Sequence, residues 1–178
     1  MTAQGVRAGQ RVVFVDELRV GLIGQARRRW KGRGVRLCPR VERSYEWRYL
    51  QVAVDPLSGA VWQRWSARLG KEAAVAALSE WRALGVAVVA WENAGSHRAR
   101  AVREVGVALV YLPAYSPELN PVARVLCAVG RCVAGVVDGL LAVKMAAVAG
   151  ALDGLRDGMV RLVGWGWIRE ALEGLPCD

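Results

Sequence analysis

The chain has 178 residues, and 54% of them are hydrophobic, which is enough for one domain with a substantial core. The formal net charge is +9 at pH 7, which favours an anionic partner, with nucleic acid as the leading candidate. The most apolar region, residues 133–152, is interrupted by Asp138 and Lys144, so it is a poor candidate for a membrane span. We therefore expect a single domain over residues 1–178, a cytoplasmic location and no membrane partner.

The first apolar run, Arg11-Val-Val-Phe-Val-Asp16, predicts a buried central strand that ends in a carboxylate. A carboxylate at the end of a buried strand is costly unless it is paired or bound to a metal. Asp16 is therefore a candidate site residue, although backbone donors in a following turn would satisfy it equally well. Glu17 points to the opposite face of the strand, and we expect it to be solvated.

Residues 24–43 form a basic, glycine-punctuated segment without apolar periodicity, and we predict a loop there. Clustered arginines with an aromatic side chain suit a phosphate backbone and a splayed base, although a solvated basic loop has the same composition. The candidate DNA contacts in this segment are Arg27, Arg28, Arg29, Trp30, Lys31, Arg33 and Arg36.

The later elements follow from apolar periodicity and from turn residues. Together with the first strand they predict an α/β fold, a mixed five-stranded sheet with helices on both faces. Sites in such a sheet form at the carboxyl ends of neighbouring strands, so Asp16 and Glu92 would lie close together if their strands are neighbours. The predicted elements are a hairpin with strands over 47–54 and 60–67, a helix over 71–84, a strand over 86–91, a helix from Ser96 to Glu104, a strand over 107–112, and helices over about 121–135, 140–160 and 165–170.

Residues 111–126 lead from the last predicted strand through a loop into a helix. The prolines Pro113, Pro117 and Pro121 fix the path of this loop, because each restricts its own backbone and that of the preceding residue. Asn120 is a typical helix N-cap, and Pro121 suits the first helical position. The rigidity indicates that the loop positions a functional group, although a stiff strand-to-helix connector explains it equally well.

Four separated segments resemble the mariner-like insertion-sequence transposases, which are DDE superfamily endonucleases. The terminal segment Leu-Val-Gly-Trp-Gly-Trp-Ile168 is similar to that group as well. The resemblance implies a ribonuclease-H-like fold with a helical C-terminal extension. It also implies three acids that hold two divalent metals, Mg²⁺ or Mn²⁺, for cleaving and joining DNA. The four segments are Val-Val-Phe-Val-Asp-Glu17, Ala-Val-Asp-Pro-Leu-Ser-Gly59, Trp-Glu-Asn-Ala-Gly-Ser-His97 and Leu-Pro-Ala-Tyr-Ser-Pro-Glu-Leu-Asn-Pro121.

By this resemblance Asp16 matches the first acid, Glu92 stands where the family has Asp, and Ala123 stands at the position of the third acid. The extra methylene of Glu92 displaces its carboxylate by roughly 1.5 Å, and a shift of about 1 Å can already cost about a hundredfold in rate. Ala123 removes a ligand, and Glu118 in the preceding loop is a weak substitute because it belongs to the ordinary family pattern. We therefore expect a degenerate triad with impaired DNA cleavage.

Other interpretations remain open beside the impaired transposase. One is a catalytically inactive DNA-binding relic or regulator of the same fold, and a general ribonuclease-H-like nuclease ranks below both because the motifs are those of transposases. His97, Arg98 and Arg124 are further candidate DNA contacts, although His97 could equally be a surface residue at a capped helix. No helix-turn-helix pattern precedes the first strand, so the resemblance implies a separate helix-turn-helix subunit or a truncated copy, and a homodimer is an open alternative.

Four cysteines are scattered along the chain, and no pair of them has the spacing of a metal finger. Nothing in the sequence indicates secretion, so we interpret them as free thiols. They are Cys38, Cys127, Cys132 and Cys177.

Overall fold

A computed structural model describes the chain over residues 9–23, 32–34, 36, 44–134 and 139–173. Most of the predicted basic loop lies outside these residues. Arg33 and Arg36 are described and exposed. The candidate contacts outside the described residues are Arg27, Arg28, Arg29, Trp30 and Lys31.

Five strands form one mixed sheet in the order β3-β2-β1-β4-β5. The central strand β1 pairs antiparallel with β2 and parallel with β4, and β4 pairs parallel with β5. The predicted mixed five-stranded sheet is therefore confirmed, and the strand that contains Asp16 is the neighbour of the strand that precedes Glu92. The strands are β1 (Val12–Gly21), β2 (Trp47–Val54), β3 (Val61–Ser66), β4 (Val88–Trp91) and β5 (Ala108–Tyr111).

The strand β1 is longer than predicted. We expected it to end at Asp16, but it continues to Gly21 because its second half extends the antiparallel ladder with β2 as far as the pair Gly21↔Trp47. Its parallel pairing with β4 covers only the first part and ends at Phe14↔Ala90. Asp16 therefore lies in the middle of β1, two residues beyond the last pair with β4.

The helices follow the predicted order, with two corrections. Ser96 does not cap a helix, because it lies inside a short 3₁₀ turn, Gly95–Arg98, that begins after Ala94. The helix predicted over 140–160 is divided by a 3₁₀ turn, Arg156–Gly158, which begins just beyond Gly154, and glycines at both places weaken a continuous helix. The helices are α1 (Lys71–Ala83), α2 (Arg100–Arg103), α3 (Pro121–Val133), α4 (Leu141–Gly154), α5 (Met159–Val163) and α6 (Gly166–Glu173).

The sheet separates two apolar cores, because successive side chains of a strand point to opposite faces. On one side Phe14 belongs to a core that includes residues of α3, α4 and α5, and we call this side the α3 face. On the other side Val13 and Val15 pack with Trp81 of α1 and Trp91 of β4, and we call this side the α1 face. Burying each of these large side chains contributes about 1.5–3 kcal/mol.

None of the described helices is long and apolar enough to cross a membrane. Cys127 and Cys132 are exposed free thiols, which confirms that part of the cysteine interpretation. Cys38 and Cys177 lie outside the described residues.

Candidate active site

A cleft of about 310 Å³ opens at the edge of the sheet where β4 ends. Asp16 lines it from β1, Glu92 lines it from the first position after β4, and Ala123 lines it from the first turn of α3. The loop 112–117 and Asn120 complete the lining on the side of β5. The three positions that the family resemblance matches to the catalytic acids thus share one cleft.

Asn120 fixes the start of α3 beside β1. Its side-chain oxygen accepts a hydrogen bond from the backbone N–H of Val122 at 3.1 Å, so the predicted N-cap is confirmed. Its amide nitrogen donates to the carbonyl oxygen of Val15 at 2.9 Å, and the residue is only 6% exposed. Because Val15 directly precedes Asp16, this single side chain holds the turn of Ala123 next to the Asp16 carboxylate.

The loop between β5 and α3 is held by its own backbone as well as by its prolines. The Leu112 N–H donates to the Trp91 carbonyl at 2.8 Å, and a 3₁₀ turn over Pro117–Leu119 leads into Asn120. Tyr115 has a φ of 59° and is fully exposed. A positive φ is unfavourable for a residue with a bulky side chain, so this loop tip stores strain of the kind that clusters at functional sites.

Asp16 is a carboxylate in an unfavourable electrostatic position. Burial, and then the negative charges of Glu17 and Glu92, raise its pKa from 3.8 to about 6, although the backbone N–H of Glu17, which donates to Asp16 Oδ1 at 2.8 Å, lowers it. The charge of His97 also lowers this pKa. The cleft therefore gathers negative charge that a bound cation would stabilise.

Glu17 is not solvated as we expected, and that prediction was wrong. Its side chain is 8% exposed on the α1 face, where its Oε1 accepts a hydrogen bond from Trp91 Nε1 at 3.0 Å. The same oxygen lies 3.3 Å from Nε2 of His97. Strand periodicity indicates the correct face for Glu17, but it does not reveal that Trp91 and the segment after β4 cover that face.

His97 is buried, with 6% exposure, so the alternative of a surface residue at a capped helix was wrong. Its Nδ1 donates to the backbone carbonyl of Glu92 at 3.1 Å, and its ring stacks on Trp91 with centroids 3.8 Å apart. Burial lowers the pKa of His97, but the hydrogen bond and charge of Glu17 outweigh it and raise the pKa above its usual value. An imidazolium that donates from both nitrogens suits this geometry.

Two sets of donors are available to a metal near Glu92. Within the described chain, Glu17, Glu92 and His97 each bring one potential ligand atom to within 4.8 Å of the others. Glu17 and His97 are nearly buried and already bonded to each other and to Trp91. Asp16 and Glu92 face the open cleft, so they are the better pair for a hydrated cation.

Glu118 does not line the cleft and gives no substitute for the third acid.

Four of the candidate DNA contacts are exposed basic residues. The guanidinium of Arg124 lies over the ring of Trp165, 4.5 Å from its centroid, which holds this side chain next to the start of α3. Their contacts with DNA stay predictions. These residues are Arg33, Arg36, Arg98 and Arg124.

Comparisons with known proteins agree with this geometry. Residues 11–131 match the family model described as DDE superfamily endonuclease. The fold is shared with solved structures of the Mos1 transposase, which confirms the predicted ribonuclease-H-like architecture. The paired-end complex with the left transposon end has a TM-score of 0.66 at 22% identity, over 92% of this chain and 53% of that one. The Mos1 strand transfer complex has a TM-score of 0.67 at 22% identity, over 92% of this chain and 53% of that one. The mariner Mos1 paired-end complex with Mg has a TM-score of 0.67 at 20% identity, over 94% of this chain and 56% of that one.

The chain spans about half the length of the Mos1 chains that it matches. A comparison with curated proteins finds no match. The family model covers well over half of the chain, including β1 with Asp16, the position of Glu92 and most of α3. The chain therefore belongs to the DDE superfamily endonucleases.

Proposed function

We propose that this chain is the DNA-cleaving domain of a mariner-like insertion-sequence transposase, and that its active site is impaired. The observation that carries the proposal is the shared cleft, into which β1, β4 and α3 bring Asp16, Glu92 and Ala123. Two of these positions keep a carboxylate, and the third has only a methyl group.

Mg²⁺ or Mn²⁺ is the proposed cofactor, and Asp16 and Glu92 would hold it. Carboxylate oxygens are the ligands that these hard cations prefer, and the negative charge that raises the pKa of Asp16 is the charge a cation would balance. Mos1 complexes contain Mn and Mg. When bound, such an ion activates water and stabilises the charge that develops on a phosphodiester.

The residues of this chain explain why the reaction would be slow. Glu92 carries its carboxylate one methylene farther from the backbone than the aspartate of the family, which moves the ligand away from its best position. Ala123 supplies no ligand, so the ion would depend on two carboxylates and on water. Asn120 and the strained loop before it keep the geometry of the cleft despite the missing acid.

DNA is the proposed partner, because the matched Mos1 structures are complexes with transposon ends and because the chain has a net charge of +9. Arg33, Arg36, Arg98 and Arg124 are exposed and would contact phosphates. We further propose a helix-turn-helix region on a separate subunit for reading the transposon ends, assembly as a homodimer, and a cytoplasmic location.

A catalytically inactive DNA-binding relic or regulator is the second candidate. Ala123 is the observation that favours it, because a missing metal ligand would end catalysis while leaving the fold and the basic surface intact. The two candidates differ in one measurable property, the dependence of DNA cleavage on Asp16.

The test is nicking of a supercoiled plasmid in Mn²⁺ by the unaltered chain, Asp16→Ala, Ala123→Glu, and Ala123→Glu combined with Glu92→Asp. We expect slow nicking by the unaltered chain, its loss in Asp16→Ala, and an increase of at least tenfold in the double variant. Ala123→Gln is the matched control, since it adds similar bulk without the charge. Nicking that persists in Asp16→Ala, or no nicking in any variant, would contradict the proposal, and the second result would favour the inactive relic.

A further inference from the structure

A buried polar cluster lies on the α1 face, behind the cleft. It consists of Glu17, Trp91, His97 and Tyr111, and we call it the rear cluster. Glu17 Oε1 lies 3.0 Å from Trp91 Nε1 and 3.3 Å from His97 Nε2, and both charged side chains are less than 10% exposed. The Tyr111 hydroxyl donates to the His97 carbonyl at 2.9 Å, which links the cluster to β5.

The rear cluster contacts the backbone of Glu92 on both sides. Trp91 directly precedes Glu92, and His97 Nδ1 donates to the Glu92 carbonyl at 3.1 Å, which closes the segment between them into a small loop. Among the described residues no hydrogen bond holds the Glu92 carboxylate itself. One of its oxygens lies within 4.8 Å of a ring nitrogen of His97, so the direction of the carboxylate depends on this neighbouring charge and on how firmly its backbone is fixed.

The composition of the cluster favours positioning over stability. A buried ion pair is weak evidence for stability, because the cost of removing two charges from water offsets much of their attraction. Apolar side chains would fill the same buried space at no such cost. What apolar side chains would not supply is the N–H that binds the Glu92 carbonyl.

We infer that Glu17 and His97 are positioning residues for Glu92, with Glu17 orienting the imidazole and His97 holding the Glu92 peptide so that Glu92 lines the cleft together with Asp16. The inference rests on the proposed function, in which Glu92 binds a cation. The arrangement matches the general rule that groups behind a metal ligand orient it, and that their loss costs about 10–100-fold in metal affinity.

Two isosteric variants separate the two hydrogen bonds of His97. The amide nitrogen of Asn reaches the place of Nδ1, so His97→Asn keeps the bond to the Glu92 carbonyl and loses the bond to Glu17. The longer Gln reaches the place of Nε2, so His97→Gln keeps the bond to Glu17 and loses the bond to Glu92. Urea unfolding of both variants shows whether their stabilities are comparable.

Two measurements then test the inference. The first is Mn²⁺ affinity by electron paramagnetic resonance, in which we expect His97→Gln to lose about tenfold or more and His97→Asn to stay within about threefold of the unaltered chain. The second is amide hydrogen exchange over residues 92–97 without metal, in which we expect faster exchange only in His97→Gln.

Equal losses of Mn²⁺ affinity in both variants, or an unchanged exchange rate in His97→Gln, would overturn the positioning role. If the unaltered chain binds no Mn²⁺, the proposed metal site fails, and the exchange measurement alone then decides whether His97 holds the Glu92 segment. The failure of the proposed function is thus distinguishable from the failure of this inference.

Discussion

Asp16 shows how the fold sets the chemistry of one residue. Burial, and then the charges of Glu17 and Glu92, raise its pKa from 3.8 to about 6. Between these two pH values, the folded protein keeps a proton on Asp16 that the unfolded chain releases. A protonated Asp16 stabilises the fold at low pH, and this contribution is lost as the pH rises through about 6.

Replacing Asp16 with Asn should therefore stabilise the protein at neutral pH. We expect Asp16→Asn to raise the free energy of unfolding by about 1–3 kcal/mol at pH 7 and to leave it nearly unchanged at pH 4, where the native carboxyl is already protonated. Urea unfolding at the two pH values measures this. A variant that is less stable than the unaltered chain at pH 7 would contradict the raised pKa.

Asn120 is the residue whose loss should most directly loosen the cleft. Asn120→Ala removes the cap of α3 and leaves the buried carbonyl of Val15 without its donor, so we expect a loss of about 1–3 kcal/mol in the free energy of unfolding. Ser116→Ala in the same loop is the control, because within the described part of the chain its hydroxyl makes only one long contact, at 3.4 Å, and the change should alter stability little. Equal effects of the two changes would refute this role for Asn120.

At the scale of elements, the turn of the hairpin between β2 and β3 packs against α5 and against Gly164, which directly follows α5. A Cβ atom at Gly164 would lie 2.5 Å from the Val160 carbonyl oxygen and 3.1 Å from the carbonyl oxygen of Pro56 in the hairpin turn. Gly164 belongs to the terminal segment that resembles the family, so a close backbone approach explains why glycine stands there.

The two glycines of that segment give a matched pair of variants. We expect Gly164→Ala to cost about 1–3 kcal/mol, because the backbone must shift to admit the methyl group. Gly166→Ala should stay within about 0.5 kcal/mol, because nothing lies within 4 Å of the new Cβ atom. Thermal unfolding of both variants makes the comparison, and a Gly164→Ala protein as stable as Gly166→Ala would argue against the close approach.

The elements that could be predicted are those with strong local signals. The hairpin follows from its Pro/Gly turn, and α3 follows from Asn120 and Pro121, so both agree with the structure. The full length of β1 could not be predicted, because its second half is held by cross-strand bonds to β2 and not by its own apolar pattern. Tertiary pairing, which no short window of sequence contains, decided this case.

The candidate site shows the same division. The meeting of Asp16, Glu92 and Ala123 could be predicted, because strand order and the family resemblance both lead to it. The burial of Glu17 and His97 could not be predicted, since it depends on packing against Trp91 and on the 3₁₀ turn over Gly95–Arg98. Ser96 indicates a helix cap and not this turn. The sequence contains two signals that could have indicated this buried pair. One is the glutamate directly after Asp16, and the other is the single histidine of the chain.

The whole molecule carries a net charge of +9, which should give weak binding to any DNA sequence. We expect this affinity to fall steeply between low and physiological salt. Replacing Arg27, Arg28, Arg29 and Lys31 with Gln should reduce the salt slope by about 0.9 for each DNA phosphate that these side chains neutralise. Fluorescence anisotropy with a labelled duplex measures both effects, and an unchanged slope would exclude this segment from the DNA interface.

On the proposed function, the cleft that Asp16, Glu92 and Ala123 line is an active site for three acids, of which one is missing. If that description is correct, a carboxylate restored at position 123 should complete a metal site, whereas the same charge elsewhere on α3 should not. Cys127→Glu is the matched control, because Cys127 is an exposed residue one turn further along α3 that does not line the cleft.

The deciding measurement is the Mn²⁺ affinity of Ala123→Glu and Cys127→Glu, read by electron paramagnetic resonance at a pH above about 7, where Asp16 is ionised. We expect Ala123→Glu to bind Mn²⁺ at least tenfold more tightly than the unaltered chain, and we expect Asp16→Asn to abolish that gain. Cys127→Glu should bind as the unaltered chain does. Equal affinities of Ala123→Glu and Cys127→Glu would contradict a metal site formed by positions 16, 92 and 123.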